Sequence, residues 1–355
     1  MIQYTCSHGG VYTVSPRLVR VDFSSNINPI GISSNVLNVL RKNLPKLSSI
    51  YPDDENSILK KKIIDYLDGE VSYDSLNIGN GATELIYNFV RAFVQNQVVI
   101  PYPTFCEYEL ASRKIGAKIK HVPLKEWKLD VDRILEKTKN SDAIFLCNPN
   151  NPTGLFSYDL IEKLVKKIDR SIKILIDESF IEFVDERKHP RTFIEKINEF
   201  QNVVVLRSLT KSFGLAGLRL GYCVSHPSIG KKISHNKITW NINGLAQMAG
   251  ITALGNLSHI RRARKIIKSE REFMYASINN NLNSFSAIES DVNFYLIRLR
   301  HGRSKQIRDL LLEKNGILVR DCSDFRGMND KYIRVAVRTR SENLALLDSL
   351  ESIDK

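Results

Sequence analysis

The 355-residue sequence has few cysteines and no long apolar run. Its five cysteines are widely scattered, and the absence of a C-x-x-C pair excludes the common zinc and redox motifs. An odd, dispersed set of this kind is typical of a reducing cytoplasm. No apolar stretch approaches the roughly 18 residues that a membrane span needs. The opening MIQYTCSHGG lacks the basic-then-apolar pattern of a leader. We therefore expect a cytoplasmic protein with no metal site and no membrane partner.

The chain is basic, with a formal net charge of +13. Such a balance suits nucleic acid, a lysine-rich surface or small anionic ligands. The basic residues are spread along the chain, and only RRARK at 261–265 forms a compact run. Helical apolar spacing at Ile260, Ile267 and Phe273 around this run favours a solvated helix face over a nucleic-acid patch. We expect no nucleic-acid partner and keep a basic nucleic-acid-binding protein as a distant alternative.

Between about residues 80 and 225, short β-rich runs alternate with helical patterns. The runs lie at 98–102, 117–124, 143–149, 172–180, 203–210 and 220–225. Residues 157–168 have helical spacing, and Ser157 is a candidate N-cap. Near-continuous apolar strands that alternate with helices predict an α/β fold whose mostly parallel sheet is covered on both faces. In such sheets ligands bind at the carboxyl ends of the strands.

The last third of the chain has a different pattern. Long helical stretches at about 244–281 and 303–315 flank short apolar runs, which indicates a smaller α+β domain. The first 40 residues carry little strand signal, and we expect them to pack with this smaller domain. No internal repeat or low-complexity tract is present. The predicted division is a large domain over 45–240 and a small domain over 1–44 and 241–355.

Polar residues stand where several predicted strands end. Asp177 directly follows an apolar run, and a buried acid there is costly without a partner. The run CNPNNPTG at 147–154 ends another strand. The run NIGNGATELI at 77–86 is a glycine-rich turn into a helix, where free N–H groups bind anions well. Each of these features alone is better explained as a turn or a cap.

Together these positions carry the groups that a pyridoxal phosphate site needs. An amine forms a covalent bond with the cofactor, and a carboxylate keeps the ring nitrogen protonated. Amides at a helix start, a hydroxyl and a guanidinium hold the phosphate. The residues that supply these groups near strand ends are Lys211, Asp177, Asn151, Gly81–Thr83, Ser208 and Arg219.

Over nearly its whole length the sequence resembles the fold-type I pyridoxal-phosphate enzymes of the aminotransferase class I/II group. The segment SLTKSFGLAGLRLGY at 208–222 is similar to the lysine motif of that family. The resemblance implies that Lys211 binds the cofactor covalently and acts as the general base. It also implies that Ser208 and Arg219 contact the cofactor phosphate, together with Gly81, Ala82 and Thr83 of the GATE motif.

Further motifs extend the resemblance. NPNNPTG implies Asn151 near the 3′-oxygen, IDESF implies Asp177 on the pyridine nitrogen, and YPTFCEY implies Phe105 stacked on the ring. IYPD implies that Tyr51 reaches a phosphate of the neighbouring subunit in a homodimer, and YIRVAV implies that Arg334 grips the substrate carboxylate. The stacking position is Phe105, and Phe180 stands where many relatives carry a tyrosine whose hydroxyl bonds the 3′-oxygen.

Two subfamilies with phosphorylated substrates are most similar. SHGG, DFSSNINPIG (22–31) and GILVRDCSDF (316–325) resemble threonine-phosphate decarboxylases of cobalamin biosynthesis, although Asp324 replaces the usual asparagine. The resemblance implies substrate contacts from His8, Asn26, Asn151, Arg320 and Arg334. Without the resemblance, the sequence indicates that His8 is an exposed residue of a mobile terminus. It likewise indicates that Arg320 is part of a surface ion pair.

The expected reaction is decarboxylation of L-threonine O-3-phosphate to (R)-1-amino-2-propanol phosphate. The alternative is a histidinol-phosphate aminotransferase that uses 2-oxoglutarate. The bond to Cα that is held perpendicular to the cofactor ring is the one that breaks. Rotation about the Cα–N bond decides which bond that is, and the sequence does not determine this rotation. A regulatory protein without chemistry is disfavoured, because an inactive site has no need for Lys211, Asp177 and Arg219 together.

Overall fold

The computed structural model describes residues 6–185 and 191–354. Residues 1–5, from which the expectation of no leader was partly drawn, lie outside this range. The helices are α1 Ser34–Leu47, α2 Ser57–Tyr66, α3 Gly81–Phe93, α4 Glu107–Lys114, α5 Val131–Thr138, α6 Tyr158–Lys167, α7 Leu209–Ser212, α8 Pro227–Ser234, α9 Gly244–Leu254, α10 Ser258–Asn281, α11 Ser304–Asn315 and α12 Arg340–Glu351. The strands are β1 Val21–Asp22, β2 Leu76–Asn80, β3 Gln97–Tyr102, β4 Lys118–Pro123, β5 Ala143–Cys147, β6 Lys173–Asp177, β7 Val203–Ser208, β8 Leu220–Ser225, β9 Phe285–Ala287, β10 Phe294–Leu299, β11 Ile317–Leu318, β12 Arg320–Asp321 and β13 Tyr332–Ala336.

A seven-stranded sheet forms the centre of the molecule, in the order β2-β8-β7-β6-β5-β3-β4. The pairs from β4 across to β7 are parallel, whereas β8 runs antiparallel to both β7 and β2. The central strands are apolar along their length because helices cover both faces, and Ile174, Leu175 and Ile176 are fully buried. The predicted α/β fold with a mostly parallel sheet is confirmed.

A second, antiparallel sheet of order β12-β13-β10-β9 contains the strands of the last third of the chain. Beside it, β1 pairs in parallel with β11. Phe23, just after β1, is buried in the same core as Met274 and Val335. The N-terminal segment around β1 therefore packs against the C-terminal part of the chain. The precise domain boundaries stay a prediction.

Two local predictions were wrong. The helical stretch predicted at 244–281 is interrupted between α9 and α10, where the Asn256 side chain accepts a hydrogen bond from the Ser258 N–H at 3.1 Å. Ser157 occupies the N-cap position of α6, but its side chain makes no capping bond. Its backbone N–H instead donates to Asn148 Oδ1 at 2.7 Å, which ties the start of the helix to the turn after β5.

The basic run lies on α10, as its spacing indicated. Ile260, Ala263 and Ile267 face the core, whereas Arg261 and Arg262 are exposed. This run is therefore a solvated helix face. Within residues 6–185 and 191–354, none of the helices combines the length and the apolar character that crossing a bilayer requires.

Candidate active site

The carboxyl ends of β5, β6 and β7 open into a cavity of about 630 Å³, a size typical of small-molecule sites. Strands of the second sheet and the N-terminal segment close its other side. The predicted site residues that line the cavity are His8, Asn26, Ala82, Thr83, Phe105, Asn151, Asp177, Ser208, Lys211, Arg219, Arg320 and Arg334. The fold therefore brings together residues spread over most of the chain.

Lys211 lies on α7, the single helical turn that follows β7. Ser208 begins this turn, and its Oγ accepts a hydrogen bond from the Thr210 N–H at 3.3 Å. Burial, reinforced by the charges of Arg334 and Arg219, lowers the pKa of the Lys211 amine to about 8. An amine with a lowered pKa is more often in the neutral, nucleophilic form that a covalent bond to a carbonyl carbon requires.

Asp177 is the last residue of β6 and is buried. Burial raises the pKa of its carboxyl group. Tyr108 donates a hydrogen bond from its hydroxyl to Oδ2 at 2.7 Å, and the Ser179 N–H donates to Oδ1 at 2.9 Å. A buried, oriented carboxylate of this kind gains most from a cationic partner, and a protonated ring nitrogen supplies one.

Sequence reasoning missed Tyr108, although it lies in the quoted YPTFCEY motif. The sequence carries no signal for this role, because the burial that makes the hydroxyl require a partner is seen only in the fold. Its ring stacks on Phe145 with centroids 5.2 Å apart, and the hydroxyl is thereby directed at Asp177.

The start of α3 forms a cradle for an anion. Gly81 has a φ of +77°, a conformation that favours glycine. A Cβ built on Gly221 would lie 2.6 Å from the Ala82 nitrogen, so a side chain there would block the backbone N–H groups. The guanidinium of Arg219 approaches Gly81 and lies 2.6 Å from the position of a Cβ built on that glycine. Backbone N–H groups, hydroxyls and a guanidinium at one helix start fit a phosphate.

Arg334, on β13, crosses to the strand ends of the first sheet. It is buried, and its Nη1 donates to Asn151 Oδ1 while its Nη2 donates to the Ser24 carbonyl at 2.9 Å. Within the described part of the chain, Arg334 Nε and Asn26 Oδ1 are buried without a hydrogen-bond partner. Unpaired buried polar atoms that line a cavity are expected where a polar ligand binds.

Arg320 is buried, so its interpretation as part of a surface ion pair was wrong. Its Nη2 lies 2.8 Å from both carboxylate oxygens of Asp324 and donates to the Ser7 carbonyl at 2.7 Å. The Ser7 N–H donates to Asp324 in turn, at 3.1 Å. The residue that departs from the decarboxylase pattern, Asp324, thus holds the arginine and the N-terminal segment together.

His8 lies on this N-terminal segment, which we call the arm and define as residues 6–9. Its Nε2 lies 2.8 Å from Glu107 Oε1, and its ring centroid is 5.9 Å from that of Phe105. The interpretation of His8 as part of a mobile terminus is therefore not supported. Glu107 follows Phe105 by two positions and was also missed by sequence reasoning.

A disulfide joins Cys6 of the arm to Cys106. The scattered spacing of the cysteines predicted free thiols in a reducing cytoplasm. This disulfide is contrary to that prediction. The pair was hidden because its members stand 100 residues apart and meet only in the fold. The sulfurs and the His8 ring nitrogen lie within 4.8 Å of one another. Both sulfurs are used in the disulfide, so this cluster is not a metal site in this form.

Tyr51 does not line the cavity. It is 77% exposed, and its ring stacks on Trp240 with centroids 4.3 Å apart. Its predicted contact is with a neighbouring subunit, so its role stays a prediction.

Phe180 lines the cavity and packs edge-on against Phe294.

A lysine of lowered pKa beside a buried carboxylate, at the strand ends of this fold, is the arrangement of the fold-type I pyridoxal-phosphate enzymes. The family model for aminotransferases of class I and II matches residues 20–350, and the chain belongs to that family. The family depends on pyridoxal 5′-phosphate, so the predicted cofactor is confirmed.

Individual relatives divide between two activities. The chain is 34% identical to a provisionally named threonine-phosphate decarboxylase of Caldanaerobacter subterraneus, over 93% of this chain and 89% of that protein. It is 35% identical to the histidinol-phosphate aminotransferase of Methanocaldococcus jannaschii, over 96% and 91%. The crystal structure of the histidinol-phosphate aminotransferase from Clostridium acetobutylicum superposes with a TM-score of 0.85 at 31% identity, covering 93% of this chain and 98% of that one. This chain is therefore an enzyme of the decarboxylase and aminotransferase group.

Proposed function

We propose that this enzyme decarboxylates L-threonine O-3-phosphate to (R)-1-amino-2-propanol phosphate in cobalamin biosynthesis. One observation carries the proposal. Arg320 and Arg334 are direct partners across the antiparallel pair of β12 and β13, and both guanidinium groups line the cavity. L-Threonine O-3-phosphate carries two anionic groups, a carboxylate and a phosphate, and two adjacent cations can hold both.

Each residue of the site would have a separate role in this reaction. Bound pyridoxal phosphate supplies an electron sink conjugated to the substrate Cα. Asp177 would keep a proton on the ring nitrogen, and Lys211 would supply the amine that bonds the cofactor. Arg334 holds the carboxylate, and Arg320 with His8 holds the phosphate. Because both ends would be held, the substrate would bind with its Cα–carboxylate bond in the orientation that cleavage requires. The carboxylate would leave as CO₂, and Lys211 would supply the proton that takes its place at Cα.

The alternative is transamination of histidinol phosphate with 2-oxoglutarate. Relatives of both kinds match at similar identity, which favours neither. Histidinol phosphate has no carboxylate, so in that case Arg334 would meet the phosphate and Lys211 would move the Cα proton.

We further propose a homodimer. Ile50, Tyr51, Ile238 and Trp240 are between 48% and 77% exposed, and exposed apolar groups of this size typically mark an interface. The stacked Tyr51 and Trp240 are expected to meet the partner subunit there, with the Tyr51 hydroxyl on the cofactor phosphate of that subunit.

The deciding experiment mixes the cofactor-loaded protein with O-phospho-L-threonine, without a keto acid, and measures CO₂. Steady catalytic release supports the decarboxylase. If no CO₂ forms and histidinol phosphate is converted once 2-oxoglutarate is added, the enzyme is the aminotransferase. An Arg334→Lys variant is the matched control, since it keeps the charge and loses the bidentate grip.

A further inference from the structure

A hydrogen bond between two side chains joins the arm to the first turn of α4 at the mouth of the cavity. His8 Nε2 lies 2.8 Å from Glu107 Oε1, and the Tyr87 hydroxyl donates to the other carboxylate oxygen at 3.0 Å. All three residues line the cavity. Glu107 is buried, whereas the His8 side chain is 52% exposed and open to a ligand.

The carboxylate is ionised at neutral pH. The hydrogen bond from His8 lowers the pKa of the Glu107 carboxyl group, and the Tyr87 hydroxyl adds to this effect against the opposing effect of burial. The ionised carboxylate accepts a hydrogen bond from Nε2 and thereby fixes the orientation of the His8 ring. Within residues 6–185 and 191–354, Nδ1 of His8 has no hydrogen-bond partner, so this atom is open to a ligand.

The surroundings of His8 place it where a phosphorylated ligand would lie. Its ring is 5.9 Å from Phe105, the predicted stacking residue. The carbonyl of the preceding residue, Ser7, accepts a hydrogen bond from Arg320. His8 is thus fixed between the expected position of the cofactor ring and the arginine that we assign to the phosphate.

We propose that Glu107 is a positioning residue that fixes the His8 ring for a hydrogen bond to the phosphate of the substrate. It acts through His8 and does not touch the substrate. The inference rests on the proposed function in one respect, namely that the ligand is phosphorylated. In this role Glu107 determines the specificity of the enzyme for phosphorylated over unphosphorylated ligands.

A purely mechanical role for the pair is the competing explanation. The arm is already fastened by the disulfide and by the contacts of Ser7 with Asp324. Loss of the Glu107 charge therefore leaves the arm attached, so its effect is expected on the His8 ring. A mechanical role would weaken all ligands alike, whereas the proposed role weakens only ligands that carry a phosphate.

The kinetic test compares Glu107→Gln with the wild-type enzyme on O-phospho-L-threonine and on L-threonine. We expect KM for the phosphorylated substrate to rise about tenfold with little change in kcat, as loss of one charge-assisted hydrogen bond predicts. The value of kcat/KM for L-threonine should change less than about twofold. Tyr87→Phe, which keeps the carboxylate charge, is the matched control and should show a smaller rise.

A double-variant comparison separates action through His8 from a direct effect. When His8 is already replaced, as in His8→Gln, adding Glu107→Gln should change KM by less than about twofold. Additive losses in the double variant, or equal losses for both substrates, would overturn the inference. The Glu107→Asp variant should recover part of the phosphate preference.

A binding measurement keeps this test independent of the reaction. Calorimetry on Lys211→Ala protein supplied with cofactor gives the dissociation constants of O-phospho-L-threonine and histidinol phosphate without turnover. If the enzyme releases no CO₂, yet Glu107→Gln weakens histidinol phosphate binding about tenfold through His8, the proposed function fails and this inference stands. Unchanged binding of both ligands would overturn the inference whatever the reaction.

Discussion

The two walls of the cavity are built in different ways. On the cofactor side, functional side chains stand on strand ends and helix starts of one rigid sheet. On the substrate side, Arg320 and Arg334 come from the second sheet and His8 from the arm. Ion pairs and a disulfide connect these elements to the rest of the molecule. The cofactor side is set by local backbone geometry, whereas the substrate side depends on contacts between distant segments of the chain. Variants can test that contrast.

The largest effect is expected on the cofactor side, at Lys211. Lys211→Ala removes the amine that bonds the cofactor, so we expect loss of the visible absorbance band of the loaded protein and no detectable turnover. Absorbance spectra and CO₂ release measure the two effects. Lys232→Ala, at an exposed lysine on α8, is the control. A coloured, active Lys211→Ala protein would refute the assignment.

Asp177→Ala is expected to lower kcat by about two to three orders of magnitude, because the ring nitrogen loses the charge that keeps it protonated. Tyr108→Phe removes one hydrogen bond to the same carboxylate and should lower kcat by about tenfold or less. Steady-state kinetics on the same substrate rank the two. A loss below tenfold for Asp177→Ala would mean that this carboxylate does not hold the ring nitrogen.

On the substrate side, Arg320→Ala should reduce kcat/KM for phosphorylated substrates by about a hundredfold, since a hydrogen-bonded charge is lost from a buried site. Unphosphorylated analogues should lose much less. Asp324→Asn restores the residue that is usual in the decarboxylases and frees Arg320 from a competing charge. This variant is measured beside Arg320→Ala on the same substrates. Equal losses for both substrate classes in Arg320→Ala would reject the phosphate role.

The smallest effect concerns stability without cofactor. The folded state lowers the Lys211 pKa from 10.5 to about 8, so the unfolded chain binds more protons between these values and stability rises with pH across that window. Below pH 8 the full cost of the buried charge remains. Lys211→Met should therefore stabilise the cofactor-free protein by about 2 kcal/mol at pH 7, after allowing for the partial exposure of the amine.

Urea unfolding of both cofactor-free proteins at pH 7 and above pH 10.5 measures this difference. The two free energies of unfolding should converge at the higher pH, where the lysine is neutral in both states. A variant that is less stable than the wild type at pH 7 would show that the lysine carries no such cost.

The same contrast explains what could be predicted from the sequence. The positions on the cofactor side lie in contiguous motifs at 77–86, 147–154, 176–180 and 208–222, whose residue types suit strand ends and turns. The parallel sheet then brings those ends to one edge. Both the fold and the positions of these residues could therefore be expected before the structure was known.

The connections on the substrate side could not be predicted in this way. Glu107 and His8 are 99 positions apart, and Ser7 and Asp324 are 317 apart. No periodicity or motif links such pairs, because their contact is a product of tertiary packing. The family resemblance implied His8 and Arg320, but it did not imply the residues that hold them.

The disulfide between Cys6 and Cys106 has a topological consequence. It closes a covalent ring that contains β1, α1, α2, β2, α3 and β3, so the chain is a loop with a long tail rather than an open line. A single peptide cleavage inside that ring would open it but leave the two pieces joined by the disulfide. The pieces would separate on a denaturing gel only after a reductant breaks the disulfide.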